Sequence, residues 1–120
     1  MEDKERKLIS YFYHHMGDGK FLRILRSYAS GEGYGTEYAR FVFADYYEKW
    51  EEDYFGEEGI AYYIDRPAVE EDEEIILDYP TFYKYLKEDC TSYLEDYPQD
   101  KSEVEAQLEK IRKRFNIEKP

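Results

Sequence analysis

Three short runs rich in aromatic and β-branched residues occupy the middle of the chain: residues 38–44 (YARFVFA), 60–64 (IAYYI) and 74–77 (EIIL). Such side chains pack well on a pleated surface, so each run predicts a strand, the third one short and buried. What lies between the runs constrains the fold more than the runs themselves. Parallel neighbours need a long crossover, usually a helix. Neither connection carries an apolar helical stripe, so an antiparallel meander is expected.

Helical periodicity brackets this block. Upstream, Leu8, Ile9, Phe12, Tyr13 and Met16 share one face, and Gly17-Asp18-Gly19 ends it. Phe21, Leu22, Ile24, Leu25 and Tyr28 form a second face, with Gly31, Gly33 and Gly35 punctuating the exit. Downstream, Pro80 suits a first helical turn. Phe82, Tyr85, Leu86, Cys90, Tyr93, Leu94 and Tyr97 then line one face, and Pro98 stops the helix. Asp100 with Glu103, or Ser102 with Glu105, offers a capping pair for a last helix. Its stripe is Val104, Leu108, Ile111 and Phe115, and Lys110, Arg112, Lys113 and Arg114 crowd its end, where cations suit the helix dipole. The order predicts an α+β fold: a small antiparallel sheet of three strands, or slightly more, with two N-terminal and two C-terminal helices packed on it. The 120 residues suit one domain, 1–120, able to bury a core without staples.

The single cysteine excludes an intrachain disulfide and fits a reducing compartment. The charged opening MEDKERKLIS gives no signal-peptide pattern, and no apolar run approaches the ~20 residues of a membrane span, so a cytoplasmic protein without membrane contact is expected.

Charge placement is uneven. The formal net charge is −12, yet residues 1–44 and 79–120 are each nearly balanced. Residues 45–59 hold seven acids and Lys49; residues 65–78 hold seven acids and Arg66. The imbalance is therefore confined to the two connections of the meander. Such a field repels nucleic acid and draws in a basic protein.

Little in the chain supports catalysis. Adjacent His14 and His15 point about 100° apart on a helix, which is poor bidentate metal geometry. Cys90 lies on an apolar face beside Glu88 and Asp89, the wrong setting for a nucleophile. GDG and GEGYG lack the lysine or bare amides of a phosphate loop. The run EEDEE (70–74) lacks the alternating oxygens and central glycine of a calcium loop. No catalytic residue, metal site or cofactor is expected.

The stretch YYEKWEEDYFGEEG (46–59) interleaves five aromatics with six acids. A charge run is usually just a solvated face. Here the charge is concentrated and mixed with Tyr and Trp, which are typical interface anchors. The partner-binding residues expected first are Glu48, Glu51, Glu52, Asp53, Glu57 and Glu58, with Trp50, Tyr54 and Phe55 as anchors. Glu70, Glu71, Asp72, Glu73 and Glu74 come second. Tyr47, Trp50 or Phe55 fits equally a role tucking the long loop onto the sheet.

The pieces FGEEGIAYY, PAVEEDEEIILDY and TFYKYL, in that order and spacing, resemble the CdiI-type immunity proteins of bacterial contact-dependent inhibition systems with ribonuclease toxins. The resemblance runs from about Phe12 to Phe115. It implies a cytoplasmic inhibitor, not an enzyme, that covers the active site of a cognate basic toxin nuclease domain and touches no nucleic acid itself. The family pattern does not assign contact residues; those above rest on charge. A different reading of the same acids is an adaptor, or a nucleic-acid mimic, for another basic protein.

Overall fold

A computed structural model describes the backbone of residues 2–36, 38–66 and 69–117, with side chains from residue 4 onward. Pro67 and Ala68, which open the motif PAVEEDEEIILDY, lie outside the described residues. Helix α1 (Glu2–Met16) and helix α2 (Phe21–Ser30) come first, joined through a 3-10 turn. Four strands follow: β1 (Tyr34–Gly35), β2 (Ala39–Phe43), β3 (Ile60–Ile64) and β4 (Glu73–Leu77). Helices α3 (Tyr79–Asp96) and α4 (Lys101–Arg114) close the chain. The sheet order is β1-β2-β3-β4 and every pair is antiparallel, as the connections required.

Alternation along the strands sorts the sheet into two faces. Phe41, Phe43, Ile60, Tyr62, Ile64 and Leu77 enter the main core. There they meet Ile9 and Phe12 of α1, Ile24, Leu25 and Tyr28 of α2, Phe82 and Leu86 of α3, and Val104 and Ile111 of α4. All four helices therefore cover one face. The opposite face carries Arg40 and Val42 of β2, Ala61 and Tyr63 of β3, and Glu74 and Ile76 of β4, in two cross-strand rows.

Three of the core tyrosines satisfy their hydroxyls on one another. Tyr28 bonds the hydroxyl of Tyr13 on one side and that of Tyr62 on the other, each at 2.7 Å. The ladder ties α1, α2 and β3 together. Burial pushes all three phenols up from their ordinary range. At the rim, Arg6 of α1 grips Asp89 of α3 through both terminal nitrogens, at 2.6 and 3.3 Å, and Glu88 at 3.0 Å. Burial nevertheless pushes the Asp89 carboxyl up, outweighing the guanidinium.

Two details differ from expectation, and a fourth strand falls within it. The glycines after α2 do more than punctuate: Tyr34 and Gly35 pair with Phe41 and Arg40 as a fourth strand, too short to show a period in sequence. The run 74–77 was expected to be buried, but β4 is an edge strand with only Leu77 fully inside and Ile76 44% exposed. Neither capping pair forms at α4. Asp100 makes no side-chain cap bond there and instead accepts from the Tyr93 hydroxyl, while Glu103 takes Arg26 and Gln107. By contrast, Asp78 caps α3 by accepting from Thr81 N–H at 2.8 Å, with Pro80 in the first turn.

Candidate functional site

The helix-free face of the sheet is where the first acidic stretch lies. Val42, Ala61 and Tyr63 form a small second cluster, and the groups covering it are Tyr47 and Phe55 from the β2–β3 connection. Those two rings meet edge to face at 6.2 Å, and the Tyr47 and Tyr63 hydroxyls lie 3.3 Å apart. Arg40 packs over the Tyr63 ring, 4.4 Å from its centroid, and reaches Asp65 at 3.1 Å. Two aromatics thus pin the long connection across the sheet.

The connection is ordered between these pins. Glu48 and Glu51 close a turn on each other: Glu51 N–H donates to Glu48 O at 2.9 Å, and the Glu51 carboxylate accepts from Glu48 N–H at 2.6 Å. Tyr54 N–H continues with Glu51 O at 3.1 Å. Ala44 N–H to Gly59 O, at 3.1 Å, closes the base. Gly59 is required there. Its φ of 118° lies in the glycine region, and an added Cβ would stand 3.0 Å from the Leu77 carbonyl oxygen.

At the crest of the turn the side chains face water. Trp50 is 82% exposed and Tyr46 is 68% exposed. Glu48, Glu52, Asp53, Glu57 and Glu58 are exposed, and Glu51, Tyr54 and Phe55 are half-buried. Lys49 turns back to Glu57 at 3.6 Å. The interleaved sequence has therefore separated into a pedestal, Tyr47 and Phe55, and a crest of Trp50 among carboxylates.

The second stretch approaches from the far end of the sheet. Glu70, Glu71 and Asp72 are exposed in the β3–β4 connection, where Asp72 accepts from Arg66 N–H at 2.8 Å. Glu73 is half-buried at the start of β4. Glu74 stands opposite Tyr63 in register on the helix-free face. Burial chiefly, then the Tyr47 hydroxyl, then the charges of Glu74 and Asp53 push the Tyr63 phenol up. The charges of both stretches therefore act on one side chain, Tyr63.

Tyr46 and Ile76 belong to this surface but were not singled out from sequence. Tyr46 borders a shallow groove of about 420 Å³ beside Gly33, Gly35 and Arg40. Ile76 sits in register with Ala61, in the row whose β2 member is the buried Val42. An apolar pair in EIIL looks the same whether its strand is central or at an edge, so the run held no signal for the exposure of Ile76.

Of the remaining candidates for chemistry, His14 lines a small cleft of about 190 Å³ with Asp18, Asp89 and Asp96, where Asp89 is held by Arg6. Cys90 is buried, and burial together with Asp89 pushes its thiol up to about 12. No group of three or more His, Cys, Asp or Glu side chains arranged to hold a metal occurs among the described residues. No helix among them is long and apolar enough to cross a membrane.

The profile of the CDI immunity protein family matches residues 5–108, from α1 into α4, and so includes the whole sheet and both acidic connections. No curated protein and no solved structure matches significantly. Since the matched region covers most of the 120 residues, the chain belongs to the CDI immunity protein family, whose members neutralise a cognate toxin.

Proposed function

We propose that this immunity protein neutralises a basic ribonuclease toxin domain by laying the crest of the β2–β3 connection over its active site. The observation that carries the reading is Trp50, 82% exposed on a turn held to the sheet by Tyr47 and Phe55 and ringed by exposed acids. Exposing an indole is costly in water, and a pinned turn loses little entropy on docking. A ribonuclease must gather cations to hold phosphates. Carboxylates of Glu48, Glu52, Asp53, Glu57 and Glu58 compete for those cations, and Trp50 and Tyr46 offer rings to surfaces that stack bases. Glu70, Glu71, Asp72 and Glu74 extend the same sign of charge around the end of the sheet, with Glu73 half inside. Inhibition of this kind involves no chemistry by the immunity protein, and no cofactor.

The test is RNA cleavage by the toxin domain encoded beside this gene, with and without the protein, at low and high salt. Stoichiometric inhibition that weakens as salt rises is expected. Cleavage unaffected at either salt would remove the ribonuclease reading and favour an adaptor for another basic protein.

A further inference from the structure

One cleft breaks the acidic character of the molecule. It lies where α2 and α4 both end beside the root of the acidic connection, with a volume of about 720 Å³. Lys110, Lys113 and Arg114 line one side, and Asp45 and Glu57 the other. Its floor is aromatic: Phe115 stacks on Phe43 at 5.0 Å and meets Tyr79 at 4.5 Å. Among the described residues, acids form few ion pairs with these cations. Among the described residues Lys113 has only Glu109, at 3.9 Å, and no ion pair within 4 Å engages Lys110 or Arg114.

We propose that this cleft receives an acidic side chain of the toxin domain, so that the immunity protein reads its partner with both signs of charge. The inference rests on the immunity reading above and extends its contact surface. Three observations favour a protein carboxylate as the occupant. The cleft is continuous with the crest, because Asp45 adjoins Tyr46, and Glu57 pairs with Lys49 beside Trp50. A phosphate group would face Asp45 and Glu57 together with the negative ends of two helices, whereas a single carboxylate on a loop carries less charge and can arrive with basic neighbours. Those neighbours would meet Asp45 and Glu57. Opposite signs side by side fix register, which a uniformly acidic face leaves loose.

The experiment uses Lys110→Glu/Lys113→Glu. Both lysines are exposed, and Arg114 is left alone because its guanidinium packs where a side chain on Gly31 would go. The double change takes the formal net charge from −12 to −16. A partner held by overall field alone would therefore bind the variant more tightly. Titration calorimetry with the toxin domain should instead show at least tenfold weaker binding, with circular dichroism unchanged and only a small drop in melting temperature from the lost cations at the end of α4. A toxin variant with one interfacial acid changed to Lys should restore it. Equal or tighter binding by the folded variant would overturn the inference while leaving the immunity reading in place. Heat from inorganic phosphate with the wild type, alongside unchanged toxin affinity of the variant, would also overturn it and make the cleft a small-anion site. Failure of the wild type to bind the toxin domain at all would remove the parent reading itself.

Discussion

Trp50 and Tyr28 show how differently two aromatic side chains can be used in one small protein. Trp50 touches little of its own chain, so Trp50→Ala should leave stability within about 0.5 kcal/mol, as for other surface changes. If it anchors the toxin, the same change should cost about 2 kcal/mol of affinity, the usual size of an interface hot spot. Denaturant unfolding and calorimetry on one variant separate the two. Tyr28 is the reverse case, fully buried and bonded to two other phenols. Tyr28→Phe leaves Tyr13 and Tyr62 each short of a partner and should destabilise the fold by about 1–3 kcal/mol, read from the urea midpoint.

The phenols also fix a pH dependence. Their folded pKa values are raised above the ordinary value of 10, so the folded state holds protons that the unfolded chain gives up. The stabilisation is complete below pH about 10 and is lost as pH rises from there toward the raised values. Cys90 adds a loss between 9 and about 12. The urea midpoint should thus stay level from pH 7 to near 9 and fall beyond it, with a shallower fall in Tyr28→Phe.

Elements were legible in the sequence where a period or a cap decided them. The faces of α1, α2 and α3 follow their apolar spacing, and Asp78 with Pro80 starts α3 as those residues require. Antiparallel order followed from the lack of a crossover helix. Legibility failed where neighbours decided the outcome. Glu103 could have capped α4, but Arg26 across the α2–α4 contact claims it. β1 owes its existence to pairing with β2 and to nothing in its own two residues. In the acidic connection, sequence offered candidate contact residues but left Trp50 and Phe55 each free to be anchor or core. The structure sorts them by their distance from the sheet: Phe55 packs against the second cluster and Trp50 stands clear. Gly59 is the hinge of that sorting. Gly59→Ala forces a strained φ and crowds the Leu77 carbonyl, which should cost about 1–3 kcal/mol. Amide exchange should then rise in residues 45–59 before it rises in the helices.

For the whole molecule, one sheet does two jobs because its faces are served differently. Four helices bury one face and make the fold. A single connection covers the other, with most of its acids and an indole exposed. Charge follows the same division: the balanced halves of the sequence build the helical layer, and the two acidic connections surround the helix-free face. Long-range attraction from a net charge of −12 acts on any basic protein, so affinity alone says little about where the toxin docks. Local reversal says more. Glu52 and Asp53 are exposed at the crest, whereas Glu51 holds the turn and is best left intact. The decisive measurement is the affinity of the toxin domain for the wild type and for Glu52→Lys/Asp53→Lys, across a salt series. The account predicts a loss of at least tenfold at low salt, a shallower salt dependence and an unchanged fold. Equal affinity and equal salt dependence in the two proteins would contradict it and place the toxin elsewhere on the molecule.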